Sequence, residues 1–170
     1  GTLYYFQRVE TFLNGMNLFL EANPAFEIET TFYGLNFYPE QIERIKKSAG
    51  KAKIVFSDKL PHDEMIRQLA SSHLQLLLAT PEKHQIYAKV FDYIASGRSI
   101  LMVENDNGPL EKILGMRDNS FICNTAVEVS QFLTTLTTSD IEAVKPLEDK
   151  TFTRRNQTKR FADLVLKSIE

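Results

Sequence analysis

The chain has 170 residues, of which 43% are hydrophobic and 25% are charged, with a formal net charge of −2. This length suits one domain with a substantial core, and the composition excludes an intrinsically disordered chain. The near-neutral charge gives no electrostatic case for a nucleic-acid partner, because nucleic-acid-binding domains carry a basic surface.

The predicted helices and strands alternate along the chain. Apolar spacing and proline and glycine signals predict helices at 9–22, from 39, from 61, 85–96, 107–114, around 129–136 and about 153–170. The predicted strands are at 26–33, 53–57, 74–79, 99–103 and 120–123, with a connecting stretch at 137–150. This alternation predicts an α/β fold, a Rossmann-like open parallel sheet with helices on both faces. The apolar strands at 74–79 and 99–103 are expected at its centre.

The sequence shows neither a disulfide pattern nor a membrane-spanning segment. Cys123 is the only cysteine, which excludes an intrachain disulfide and fits a reducing compartment. No apolar run approaches the roughly 18 residues that a spanning helix needs, and no signal peptide is visible. We therefore expect a cytoplasmic protein. The chain starts abruptly at Gly1, from which we expect a fragment of a longer two-domain protein, with residues 1–170 forming a single domain.

Several chemistries lack their signatures in this sequence. There is no glycine-rich dinucleotide or P-loop motif and no serine-hydrolase elbow, and the histidines have no metal-ligand spacing. We expect neither a metal nor a cofactor. Glu104 and Asp106 form an E-x-D after a strand, interpreted as an ordinary polar loop. In open α/β sheets ligands bind beyond the carboxyl ends of the strands. The loops at those ends are 34–38, 57–60, 80–88 and 104–108.

A polar pair on the central helix is the first candidate for chemistry. Lys89 and Asp92 stand three residues apart, on a different helix face from the apolar Tyr87, Phe91 and Ile94. The lysine could meet a phosphate and the aspartate a sugar hydroxyl. On spacing alone the alternative is a solvated helix face with an i, i+3 ion pair.

Three stretches resemble one enzyme family. KVFDYIASGRSILMV, at 89–103, resembles the segment K-l-f-E-Y-l-a-s-G-k-P-i-l of GT-B glycosyltransferases, in the large retaining family that uses nucleotide-sugar donors. GTLYYFQRVETFLNGM at the start resembles the opening of that family's C-terminal domain. KIVFSDKLPHDEMIRQLASSHLQLLL, at 53–78, is similar to a segment between them. The resemblance covers nearly the whole chain, in the family's order.

The resemblance implies the nucleotide-sugar donor-binding domain of such an enzyme. Its substrate would be a UDP- or GDP-linked sugar, passed to an acceptor hydroxyl of a lipid-linked or polysaccharide precursor. The acceptor domain would be missing here, so the isolated chain is expected to transfer no sugar. That domain would be the route to any peripheral contact with the inner face of a membrane. The alternatives are a non-enzymatic, degenerate module of the same fold and half of a sugar-nucleotide epimerase.

The resemblance also implies particular site residues. Lys89 and Asp92 would contact the donor phosphates and ribose, and backbone N–H groups of the first helical turn, near Val90, would face the diphosphate. Arg8 would be a second phosphate clamp, and Gly34 would permit close approach of the donor.

The sequence departs from the family pattern at one of these positions. His84 stands where the retaining members carry the first glutamate of a spaced pair, and Asp92 stands at the second. The loop at 56–59 would lie against the nucleobase, and nothing in it identifies the base.

Overall fold

The computed structural model describes residues 3–35, 38–80, 86–138 and 154–167. Within these ranges strands and helices alternate along most of the chain. The helices are α1 (Val9–Ala22), α2 (Pro39–Ala49), α3 (His62–Ser71), α4 (Lys89–Ser96), α5 (Pro109–Leu114), α6 (Ala126–Thr138) and α7 (Arg154–Lys167). The strands are β1 (Glu29–Tyr33), β2 (Lys53–Ser57), β3 (Leu74–Leu78), β4 (Ser99–Val103) and β5 (Ser120–Cys123).

These elements follow the predicted order, and β2, β4 and β5 begin and end at the predicted residues. β1 begins at Glu29 rather than at 26, because the N–H of Phe26 donates to the Asn23 carbonyl in a turn. The predicted terminal helix at about 153–170 is present as α7, and its first and last few predicted residues lie outside the described ranges. Most of the predicted connecting stretch, 139–150, also lies outside them.

Local sequence signals explain where several helices begin and end. Pro39 occupies the first turn of α2, where its missing N–H costs nothing. Lys46 and Lys47 lie in the last turn of that helix, where positive charge complements the helix dipole. α4 ends at Gly97, whose φ of 71° is the left-handed conformation that glycine adopts without strain.

All paired strands are parallel, which confirms the predicted α/β class. β1 pairs with β2, and β3, β4 and β5 form a second sheet in that order. The single open sheet of the prediction is thus divided by hydrogen bonding into two smaller sheets. β4 is central, as predicted, but the predicted central position of β3 is wrong, because β3 is at an edge of its sheet. At that edge the carbonyl of Leu78 accepts a hydrogen bond from the Gln7 side chain, 2.7 Å away, instead of bonding to a strand.

Two hydrophobic cores meet at β4, and helices cover both of its faces as predicted. Leu101 and Val103 belong to the core that α1, α2 and α6 share with both sheets. Ile100 and Met102 belong to the core on the opposite face, which α4 and α5 complete. Side chains alternate between the faces of a strand, and every side chain of β4 is buried. β4 is therefore the central element of the domain.

Helices α1 and α6 approach each other closely because α1 carries a glycine at their contact. A Cβ atom built on Gly15 would lie 2.5 Å from the Val129 Cβ and 2.6 Å from the Ala126 carbonyl oxygen. Real Cβ atoms do not come so near a neighbour, so any side chain at Gly15 would push the two helices apart.

We expect Gly15→Ala to lower the free energy of unfolding by about 1–3 kcal/mol, the usual cost of overpacking a close contact. This loss should appear although alanine has the higher helix propensity. Asn14→Ala is the matched control, because Asn14 is on the exposed side of α1. Urea unfolding of the three proteins measures both effects, and a Gly15→Ala protein as stable as the wild type would contradict this packing.

Candidate functional site

The loop at 3–8 lies across the carboxyl end of β3 and is fixed there by Gln7. The Gln7 side chain is buried; its Nε2 donates to the Leu78 carbonyl, and its Oε1 accepts from the N–H of Tyr4 at 3.0 Å. Arg44 of α2 holds the same loop from the other side. Its Nη2 donates to the Gln7 carbonyl at 2.8 Å, and its guanidinium pairs with Glu10. These bonds fix where the residue after Gln7 can reach.

Arg8, the predicted second phosphate clamp, is that residue. It precedes α1, and its guanidinium side chain is 71% exposed. The Arg8 Nε lies 3.6 Å from Oε1 of Glu104, which directly follows β4. The same carboxylate oxygen accepts a hydrogen bond from the Thr11 hydroxyl at 3.3 Å. The structure therefore brings Arg8 to the carboxyl edge of the three-stranded sheet.

The start of α4, with Lys89, lies at this same carboxyl edge of the three-stranded sheet. The end of the helix lies at the opposite, amino edge, because Gln75 near the start of β3 donates to the Ser96 hydroxyl at 2.6 Å. One residue further along β3, the Leu76 carbonyl accepts a hydrogen bond at 3.3 Å from the hydroxyl of Tyr93, which lies earlier in α4 than Ser96. Since α4 runs antiparallel to β3, its first turn lies toward the carboxyl edge.

Lys89 carries a positive charge in a poorly solvated position. Its Nζ lies 5.4 Å from the centre of the Tyr87 ring, an arrangement in which the ring face attracts a cation. Burial lowers the pKa of Lys89 below 10.5. In the described part of the chain no carboxylate lies within ion-pair distance of this ammonium. The i, i+3 pair with Asp92 is therefore not formed.

Asp92 is half-buried one turn along α4 from Lys89. Its charge acts on the neighbouring Tyr93: burial chiefly, and the Asp92 carboxylate in addition, raise the pKa of Tyr93 to about 12. The tyrosine hydroxyl thus remains protonated at any physiological pH, which its hydrogen bond to Leu76 requires.

The backbone N–H groups of two further predicted site residues, Val90 and Gly34, donate hydrogen bonds within the domain. Val90 is completely buried in the core beneath α4, and its N–H donates to the Tyr87 carbonyl at 2.9 Å, so this amide is already engaged. Gly34 follows β1 with φ 75°, and its N–H donates to the Ser57 carbonyl at 2.8 Å. The left-handed conformation at this strand end favours glycine. The close approach of a donor to Gly34 stays a prediction. His84 lies outside the described residues.

The E-x-D after β4 is more than a polar loop. The carboxylate of Asp106 is buried and accepts hydrogen bonds from the N–H groups of Gly108, Leu110 and Glu111, at 3.0–3.1 Å, which caps α5. Glu104 binds Arg8, as described above. The sequence shows two acids after a strand, but it does not show that one is structural and the other faces α1.

Other kinds of site find no support in the described ranges. No group of three metal-ligating side chains occurs there. Burial raises the pKa of Cys123 to about 11, so its thiol is a poor nucleophile. None of the described helices combines the length and apolar character needed to cross a membrane.

The comparisons with known proteins do not identify the chain. No protein-family model matches it, and no curated protein matches it either. The resemblance to GT-B glycosyltransferases therefore stays a prediction from the sequence motifs.

The Glu10–Arg44 pair that holds the loop at 3–8 predicts a pH-dependent contribution to stability. The hydrogen bond from Arg44 lowers the pKa of Glu10 below its ordinary 4.5, against the opposing effect of burial. Because the folded-state pKa is the lower one, this contribution is present above pH 4.5 and is lost as the pH falls toward the folded-state value.

We expect Glu10→Gln to lower the free energy of unfolding near neutral pH by about 0.5–1 kcal/mol, since the pair is partly exposed. The difference from the wild type should shrink between about pH 5 and about pH 3. Glu43→Gln is the control, because Glu43 pairs with Lys46 on the exposed surface. Urea unfolding across this pH range gives the values, and a difference that is constant with pH would contradict the assignment.

Proposed function

We propose that this chain is the nucleotide-sugar donor-binding domain of a GT-B glycosyltransferase of the retaining type. The observation that carries the proposal is the Lys89 ammonium, which is desolvated and has no carboxylate partner in the described part of the chain. It lies in the first turn of a helix that begins on the carboxyl side of a parallel sheet. A cation that has lost water without gaining a counter-ion suits an anionic ligand.

The ligand would be the diphosphate of the donor, and its charge grows when the bond to the sugar breaks. Lys89 and Arg8 would stabilise this developing charge, since cations held in place act strongly on it once the opposing domain excludes water. Asp92 would accept a hydrogen bond from a ribose hydroxyl. Gly34, which lacks a side chain, would leave room for the donor beside β1.

The whole enzyme would transfer the sugar to an acceptor hydroxyl bound by a second domain. UDP- and GDP-linked sugars are the donors, and lipid-linked or polysaccharide precursors are the acceptors, that the sequence resemblance implies. An enzyme of this kind would work in the cytoplasm or at the inner face of a membrane. The chain alone should bind a nucleoside diphosphate weakly and transfer no sugar, because the opposing domain would exclude water from the cleft.

We expect UDP or GDP at millimolar concentration to raise the melting temperature. A ligand at about 100 times its dissociation constant adds roughly 2.7 kcal/mol to stability. Lys89→Ala should abolish most of the rise, because it removes the phosphate contact. Asp92→Asn should reduce it less, because an amide oxygen still accepts one hydrogen bond. Differential scanning fluorimetry with UDP, GDP and ADP measures these shifts.

Two controls make this measurement specific. Lys47→Ala removes an exposed lysine at the end of α2 and should leave the shift unchanged. Uridine, guanosine and adenosine at equal concentration should give much smaller shifts than the diphosphates. If no diphosphate shifts a folded sample, the non-enzymatic module becomes the better proposal; equal shifts with nucleosides would remove Lys89 from its phosphate role.

The lowered pKa of Lys89 predicts how binding depends on pH. Its ammonium loses its proton at a lower pH than an exposed lysine does, so diphosphate affinity should fall as the pH rises toward 10.5. Lys89→Arg should bind with little change over the same rise in pH, because a guanidinium keeps its charge. Isothermal titration calorimetry gives both affinities, and an equal fall in the two proteins would show that another group causes the pH dependence.

A further inference from the structure

Glu104 combines an unfavourable backbone conformation with a polar side-chain contact. Its φ is 61°, and Asn107, with φ 47°, is the other non-glycine residue in the described ranges with a positive φ. Asparagine tolerates the left-handed region, whereas a longer side chain such as glutamate enters it at a cost. Such strain persists only where the surrounding structure enforces it, and it concentrates at functional sites.

The strands around Glu104 enforce its conformation. Its N–H donates to the Cys123 carbonyl of β5 at 2.9 Å, which extends the β4–β5 pairing by one residue. The next N–H, of Asn105, donates to the Asn124 side chain, also at 2.9 Å. Glu104 is therefore held between the fully buried β4 and a second fixed point one residue later.

The left-handed conformation redirects the Glu104 side chain. Ile100 and Met102 face the core beneath α4 and α5, so a regular strand would turn residue 104 to that face as well. Instead, the Glu104 carboxylate contacts Arg8 and Thr11, at the start of α1 on the opposite face. The strained backbone thus turns a carboxylate toward the guanidinium of Arg8.

We propose that Glu104 is a positioning residue of the donor site, which holds the Arg8 guanidinium at the carboxyl edge of the sheet for the diphosphate. This inference rests on the proposed function, because it assigns Arg8 to the phosphates. Without Glu104, the 71% exposed Arg8 side chain would have to be ordered when the ligand binds. An exposed ion pair of this kind corresponds to about a two- to fivefold effect on affinity.

The experiment separates backbone strain from positioning by comparing Glu104→Gly with Asn107→Gly. Both changes place glycine at a left-handed position, so both should raise the melting temperature, Glu104→Gly by about 2–4 °C. Only Glu104→Gly removes the contact with Arg8. It should weaken UDP or GDP binding about two- to fivefold in calorimetric titration, whereas Asn107→Gly should bind as the wild type does.

Arg8→Ala distinguishes positioning of Arg8 by Glu104 from a purely structural role of Glu104. In an Arg8→Ala protein, Glu104→Gly should cause no further loss of affinity, because the residue through which it acts is gone. Glu104→Gln, which keeps the backbone and the size of the side chain, should also weaken binding in the presence of Arg8. Glu104→Gln serves as the test variant if the Glu104→Gly protein does not fold.

The outcomes distinguish this inference from the proposed function. A wild type that binds a diphosphate while the Glu104 variants bind equally or more tightly overturns the inference alone. An equal loss from Glu104→Gly with and without Arg8 overturns positioning through that residue. A folded wild type that binds no diphosphate overturns both the inference and the proposed function.

Discussion

The burial of β4 on both faces is the constraint on which the rest of the domain depends. All side chains of such a strand are buried, and its backbone groups bond to the two neighbouring strands. Polar side chains can therefore occur only where the strand ends. Glu104 is the first residue beyond this buried run. The parallel arrangement then brings the end of β3 and the starts of α1 and α4 to the same edge, so polar groups from distant parts of the sequence collect there.

Long-range polar contacts fix the side chains at this edge. Gln7 is buried. Its amide oxygen accepts a hydrogen bond within the loop at 3–8, and its amide nitrogen donates one to β3. Arg44 completes the anchor from α2, and a buried polar network is rigid when its members have partners. The loop therefore presents Arg8 from a fixed backbone, although the guanidinium itself is largely in water.

The sequence predicts elements better than contacts between elements. β2, β4 and β5 match their predicted bounds because each is a short β-prone run between turn signals. The predicted central position of β3 was wrong. An apolar run has the same sequence pattern whether its free edge is bonded by another strand or by the Gln7 side chain. The roles of Gln7, Arg44 and Glu104 depend on partners far away in the sequence, and residue spacing carries no information about such partners.

Two unfavourable features of the described structure lie at the carboxyl edge of the three-stranded sheet, and together they are the physical reason for placing the proposed site there. Among the described residues, Lys89 is a poorly solvated cation without a carboxylate partner, and Glu104 is a glutamate in the left-handed region. Folding alone favours neither feature, since each raises the energy of the ligand-free domain. An anion at the carboxyl edge would supply a partner for Lys89. It would also contact Arg8, which Glu104 holds in place.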